Sequence, residues 1–410
     1  MRLRLRPGAR LRAILGPDAA GVRQSLVALG LNSTTSLAAG AFLGSITGTF
    51  ERYPGLLVLV PAAIGLRGNI FGSFGNRIST TIHSGTFRLS TRRDTVLGQN
   101  VLAASILTLG MSVVLAITAK LIAVGLGLTD TIPFLELAVV SIVGGALGSV
   151  VVMAATLGLA AGAVRYGWDL DNVTAPLVST LGDVLTLPAL YAGTFLLGIA
   201  IFTTSLGTVL IVACLAATVW GLRSHLDQLP RILRESLPIL AVAGGVSAMA
   251  GILLEKRFGS FSAFPALLVL VPAQLSSSGA LGGILTGRLS SKIHLGVVIP
   301  QPVPGIQARG DMLYAYFLAV PVFAFNGAGA HVVGRALGQA SPGLVQMMAA
   351  SMFGGMVAML FVVALGYYGT ILAVRGGVDP DTYGIPVVSS SVDFIGAFTL
   401  ILAIVLLGVA

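Results

Sequence analysis

Runs of about twenty apolar residues recur from Leu26 to the C-terminus, and no other feature limits the chain as much. A run of that length is what an α-helix needs to cross the hydrocarbon core of a bilayer. In lipid, only helices and closed barrels satisfy every backbone N–H and C=O internally. The expected fold is an all-α polytopic membrane protein. Eleven spans fit the runs, near 25–50, 54–76, 96–127, 134–164, 174–200, 201–222, 236–254, 264–287, 311–334, 343–374 and 383–409. The stretch 174–222 has Asp183 as its one charge and suits two helices, with Thr203-Thr-Ser205 as the turn between them.

Only 10% of residues are charged, against about 25% in a soluble domain. The 53 glycines fit helices that pack closely in lipid, where small residues let backbones approach. A single cysteine, Cys214, excludes an internal disulfide and a thiolate metal cage. The net charge of +9 does not point to nucleic acid, because the basic residues sit in short loops rather than on one face. With the N-terminus inside, 18 of the 24 Lys and Arg residues fall on the cytoplasmic side. Arg52, Lys256, Arg257 and Arg335 fall outside, and Arg67 and Lys120 lie within spans. This is the positive-inside pattern. It predicts a multi-pass protein of the cell membrane with a cytoplasmic N-terminus and, after eleven spans, a C-terminus outside. The basic segment 1–24 reads as a cytoplasmic arm rather than a signal peptide, since the run that follows is too long for a signal core.

The chain also repeats itself. Pro54-Gly-Leu-Leu-Val-Leu-Val-Pro-Ala62 returns as Pro265-Ala-Leu-Leu-Val-Leu-Val-Pro-Ala273, and 15 of the 32 positions from residue 54 onward agree at this offset. Gly144-Gly145 returns as Gly354-Gly355. The stretch from Asp169 to Asp183 returns as Asp379 to Asp393, each with D-x-D, a proline, and an aspartate seven residues after it. A tandem duplication of a five-helix unit follows. An odd number of helices would invert the second copy, and the extra helix at 201–222 restores its orientation. The repeats are then parallel, related by an axis along the membrane normal. The expected division is an arm at 1–24, a first repeat at 25–200, a connector helix and loop at 201–235, and a second repeat at 236–410.

Asp183 and Asp393 fall near the middle of their spans, where a carboxylate costs about 2.5–3.5 kcal/mol to insert. Facing each other they would repel, and a divalent cation between them relieves that. Asp169, Asp171, Asp379 and Asp381 precede the same helices, as caps that suit the helix dipole or as a cation vestibule at the cytoplasmic mouth. Pro61 and Pro272, with Gly65, Gly68 and Gly72, predict a broken helix whose exposed carbonyls line a cavity. Those carbonyls and Asn69 are the hard oxygen ligands that Mg²⁺ or Ca²⁺ takes. Arg67, opposite Ser278 in the second copy, calls for a carboxylate or carbonyl partner. His83 and His294 match across the copies but lack metal-site spacing. Glu51 and Glu255 end the first helix of each repeat, as cation attractors or solvated groups. There is no GK[ST] phosphate loop, G-x-S-x-G elbow or H-E-x-x-H pair. The chain does not read as an enzyme, no cofactor is called for, and transport would run on an ion gradient or exchange.

Pro61-Ala-Ala-Ile-Gly-Leu-Arg-Gly-Asn69, Arg77-Ile-Ser-Thr80 and Asp171-Asn-Val-Thr-Ala-Pro176 through Gly182-Asp183 resemble the membrane domain of the MgtE magnesium channels, and more closely solute carrier family 41. The resemblance implies five-helix units that pair as dimers in MgtE and are joined in one chain in solute carrier family 41. A pseudo-dimer within one chain makes a homodimer unnecessary. It also places on Asp183 and Asp393 the role of binding hydrated Mg²⁺ in the pore. Ser276-Ser-Ser-Gly-Ala280 departs from the pattern of Gly65–Asn69, and the regulatory CBS domains of MgtE have no counterpart in the 24-residue arm.

The leading expectation is a divalent cation transporter, most plainly for Mg²⁺, whose partners are such cations and the lipid bilayer. The alternatives are a sodium- or proton-coupled exchanger of the same fold and a non-transporting membrane scaffold.

Overall fold

Eleven long helices, the shortest of 22 residues, account for most of the structure, a computed structural model that describes residues 19–83, 87–128, 131–166, 170–294, 296–375 and 385–409. In chain order they are α1 (Ala19–Ser45), α2 (Leu59–His83), α3 (Val96–Gly125), α4 (Phe134–Tyr166), α5 (Leu170–Thr194), α6 (Ala200–Arg223), α7 (Leu229–Lys256), α8 (Ala266–His294), α9 (Ile306–Ala336), α10 (Leu344–Arg375) and α11 (Ile385–Leu406). No strand occurs among the described residues. Among the described residues ten of the eleven helices, all but α5, hold a window long and apolar enough to cross a membrane. The protein is an all-α polytopic membrane protein.

Local chemistry sets several helix ends. Thr95 caps α3 by accepting from the Gly98 N–H at 3.1 Å, one of the donors a helix start leaves unpaired. Gln99 Oε1 accepts from the Gln228 N–H at 2.7 Å and the Leu229 N–H, and Pro230 sits in the first turn of α7. That helix therefore begins at Leu229, ahead of residue 236. The turn between α5 and α6 lies at 195–199, with Gly198 at φ +119°, and not at Thr203-Thr-Ser205. Thr203 is already helical, and its hydroxyl donates back to the carbonyls of Leu196 and Ile199.

The expected break at the prolines is also corrected. Pro61 is the third residue of α2, where a helix has no use for its N–H, and a short 3₁₀ turn over Leu56–Val58 leads into it. Pro272 lies in the second turn of α8, a helix of 29 residues in all. Each proline removes at most one bond close to a helix start, too little to open a helix.

The repeat organises the packing. The first helix of each five-helix set, α1 or α7, packs against the second and third helices of the other set. The duplicated segments Leu56–Val60 and Ala266–Val271 are buried at the centre of the largest core cluster. Two glycines permit this closeness. A Cβ on Gly40 would stand 2.8 Å from Val269 Cα, and one on Gly251 would stand 2.7 Å from Val58 Cα. Both pairs are the same contact, seen from the two repeats. Glu51 accepts from its own equivalent, Ser262, at 2.6 Å and 211 residues away, on the matching short helices Thr47–Arg52 and Phe258–Ala263. Equivalent ends lie together, so the two sets run parallel. α6 joins them and touches α3, α4 and α7.

Candidate cation site

Asp183 and Asp393 lie near the midpoints of α5 and α11. Asp183 is 5% exposed, and the two carboxylates are close enough to interact electrostatically. Each is held by a serine of its own repeat. Ser36 on α1 donates to Asp183 Oδ2 at 3.2 Å, and Ser247 on α7 donates to Asp393 Oδ2 at 2.9 Å. Ser36 and Ser247 occupy equivalent positions, so the duplication reproduces this contact. A buried carboxylate needs such donors.

The opposite repeat contributes differently on the two sides. Ser276 on α8 donates to Asp183 Oδ2 at 3.0 Å and also lies 3.0 Å from Asn32 Oδ1. Its equivalent on α2 is Gly65, where a Cβ would stand 3.1 Å from Asp393 Oδ2 and 3.5 Å from the Ser247 hydroxyl. The second helix of each repeat thus faces the aspartate of the other. Asn32, Ser33, Ser276, Ser277 and Asn326 extend the polar cluster on the Asp183 side, and Ser277 meets the hydroxyl of Ser33 and the amide of Asn326. Among the described residues the buried Asn32 amide nitrogen has no partner.

Asn69 is buried one helical turn beyond Gly65 and shares its face of α2. Asp169, Asp379 and Asp381 lie outside the described residues, as does the side chain of Asp171, whose backbone is in the first turn of α5. Among the described residues no three His, Cys, Asp or Glu side chains cluster around a common point. What converges instead is two carboxylates among hydroxyl and amide oxygens. Such a set suits a hard cation that keeps its own waters.

Arg67 is 4% exposed and finds carbonyls, not a carboxylate. It donates to Thr186 Oγ1 at 2.5 Å and to the carbonyls of Gly144 at 3.1 Å and Gly145 at 3.4 Å. His83 and His294 are the last residues of α2 and α8. Glu51 and Glu255 are not equivalents. Glu255 corresponds to Gly44, and it accepts from the Gly55 N–H at 2.7 Å, tying α7 to the turn that opens α2.

Near the basic end of the second repeat, Asp311 is 2% exposed between Arg288 and Lys292, at 2.9 and 2.6 Å. The equivalent of Asp311 is Asn100, which accepts from Arg77 at 2.7 Å. Ser36, Ser247, Ser276, Asn32 and Asp311 escaped the reading of the sequence. Carrying the 211-residue offset back into the first helix would have found Ser36 and Ser247.

A family model described as "MgtE: Divalent cation transporter" matches residues 60–193 and again 271–403. Each match runs from the buried Leu-Val-Pro segment to beyond the inner aspartate. Solute carrier family 41 member 3 from Mus musculus is 23% identical over 268 residues, covering 62% of this chain and 54% of that protein. The Rattus norvegicus protein of the same name is 23% identical over 265 residues, covering 62% and 56%. The chain spans about half the length of these curated relatives. A solved multidrug resistance MATE family transporter of the MOP superfamily, in an inward-facing conformation, aligns with 94% of this chain and 98% of its own. Its identity is 12% and its TM-score 0.33.

Proposed function

The chain belongs to the MgtE family of divalent cation transporters, and from that premise we propose that it carries Mg²⁺ between its two repeats. The observation that supports this reading is the pair of mid-helix aspartates, each held by an equivalent serine of its own repeat. Asp183 and Asp393 bind the ion through retained waters, since Mg²⁺ gives up its hydration shell reluctantly. Asn69 and the open face at Gly65 supply further oxygen contacts or room for those waters. The D-x-D pairs Asp169/Asp171 and Asp379/Asp381 gather cations at the cytoplasmic mouth. In this reading the protein sits in the cell membrane with its N-terminus inside and C-terminus outside. One chain forms the whole pathway. No bond in the cargo is made or broken, so the protein works as a transporter and not as an enzyme.

Reconstituted liposomes test this directly. Uptake of Mg²⁺, Ca²⁺, Mn²⁺ and Zn²⁺ is measured with and without an imposed sodium gradient, for the wild type and for Asp183→Asn and Asp393→Asn. Mg²⁺ uptake lost in both variants is the expected result. Uptake unchanged in both would remove the aspartates from the mechanism, and uptake that follows the sodium gradient would make the protein a coupled exchanger.

A further inference from the structure

Arg67 comes with a pocket built for it, and the second repeat lacks both. The guanidinium lies in a notch of α4 opened by Gly148, whose Cβ position it fills, and its stem passes 3.9 Å from the Cβ position of Gly182 on α5. Thr186 and the carbonyls of Gly144 and Gly145 receive its N–H groups. In the second repeat Arg67, Gly148, Gly182 and Thr186 are replaced by Ser278, Ala358, Val392 and Gly396. Ser278 donates to the Gln274 carbonyl of its own helix at 2.8 Å. The ring of Phe323 lies against Gly355, which corresponds to Gly145. Four positions on three helices therefore differ together, and they differ around a charge.

That charge is close to the site but outside it. Residue 67 is two positions from both Gly65 and Asn69, which puts it on the far side of α2 from the face they share. Thr186 follows Asp183 by three residues, about 4.5 Å along the axis of α5. A guanidinium stays protonated in proteins. Among the described residues no carboxylate pairs with it, so its field acts on the site without cancellation at contact.

We propose that Arg67 is a fixed positive charge behind the wall of the pathway that weakens cation binding and so keeps the ion releasable. The proposal rests on the reading of Asp183 and Asp393 as the cation site. Two carboxylates in a poorly solvated interior bind a divalent ion strongly, and conduction requires that the ion also leave. Arg67 acts through the field and through the position of α5, without touching the ion. A brace alone makes a different prediction. Losing a brace loosens the site and raises KM, whereas losing a repelling charge lowers both KM and the maximal rate.

The test is the concentration dependence of Mg²⁺ uptake in proteoliposomes for four proteins. These are the wild type, Arg67→Lys, Arg67→Met, and the triple variant Arg67→Ser with Gly148→Ala and Thr186→Gly, which installs the second repeat's residues at three of the four positions. For a unit charge roughly 10 Å from a divalent ion, removal is expected to lower KM by about tenfold or more in both neutral variants. Maximal rate falls with it, while Arg67→Lys stays near the wild type. A KM unchanged or raised in a monodisperse neutral variant overturns the proposal. So does failure of both neutral variants to fold where Arg67→Lys folds, because the positive charge would then be a brace for the fold. A wild type without uptake, or uptake insensitive to Asp183→Asn, counts against the site reading instead.

Discussion

Gly65 and Asp393 face each other across the repeat interface, with 3.1 Å between the carboxylate Oδ2 and the point where a Cβ on Gly65 would lie. On the other side of the pseudo-two-fold axis the same relationship carries a hydroxyl, and Ser276 donates to Asp183 at 3.0 Å. Asp183 therefore accepts from two serines on two helices, and Asp393 from Ser247 among the described residues. The less saturated carboxylate has more capacity left for a hydrated ion. The two halves share a scaffold and divide the work at the site unequally.

Gly65→Ser is expected to give Asp393 the bond that Asp183 already has. A hydrogen bond to a charged group is worth about 1.5–3 kcal/mol, and the ion must compete with it. The expected outcome is a KM for Mg²⁺ raised about tenfold, read from uptake curves in proteoliposomes. Gly68→Ser, on the same helix with nothing within 4 Å of its Cβ position, is the control and leaves KM unchanged. Equal behaviour of the two variants would mean that the face at Gly65 takes no part in binding.

The closeness of the repeats rests on Gly40 and Gly251. Alanine at either position pushes a methyl group against the backbone of Val269 or Val58, atoms that have nowhere to go. Overpacking of this kind costs about 1–3 kcal/mol. Gly40→Ala and Gly251→Ala are expected to lower the unfolding midpoint in detergent by similar amounts, because they make the same contact. Gly30→Ala on α1, where nothing lies within 4 Å, is expected to be neutral or slightly stabilising. A midpoint unmoved by Gly40→Ala would show that the interface relaxes freely.

The helices, their number and the repeat were legible because hydropathy and a fixed offset are properties of the chain itself. Helix ends were less so. The turn at Thr203 was misplaced because a hydroxyl in an apolar stretch reads as a break, while in lipid it bonds back to the preceding turn. Pro61 and Pro272 were over-read because a proline's effect depends on its distance from the helix start, which composition leaves open. Asp183 and Asp393 stood out as charges in apolar runs. Their serine partners did not, because Ser36 and Ser247 look ordinary until the offset is carried into α1. The partners of Arg67 are backbone carbonyls, and no side-chain pattern announces a carbonyl. Gly148, set against Ala358, hints at the notch.

Asp311 anchors the basic end of the second repeat, where the first repeat makes do with Asn100. Asp311→Asn removes the countercharge of Arg288 and Lys292, which are about one-third exposed. Breaking a fully buried pair costs about 3–5 kcal/mol, and partial solvation of both cations reduces this to roughly 2 kcal/mol. The expected result is a clear fall in unfolding midpoint with a Mg²⁺ KM close to wild type. The reverse change, Asn100→Asp, gives Arg77 a carboxylate but turns an acceptor toward the Val96 carbonyl and Gln228 Oε1, to which the Asn100 amide now donates, and is expected to be neutral at best and otherwise destabilising. A large change in KM for Asp311→Asn would instead connect this end of α9 to the ion's path.

Ser36→Ala and Ser247→Ala separate the two aspartates most directly. After Ser36→Ala, Asp183 still accepts from Ser276. After Ser247→Ala, Asp393 loses its serine donor, and an unsatisfied buried carboxylate costs about 1–3 kcal/mol or more. In chelator, the unfolding midpoint is expected to fall more for Ser247→Ala than for Ser36→Ala. Added Mg²⁺ supplies the missing partner and stabilises whatever state binds it. The rise in midpoint from chelator to millimolar Mg²⁺ is therefore expected to be larger for Ser247→Ala than for the wild type. Thermal melts of the purified proteins in detergent, with and without Mg²⁺, decide it. If both serine variants lose equal stability and respond equally to Mg²⁺, the two carboxylates are equivalent and the asymmetry at Gly65 and Ser276 has no energetic consequence.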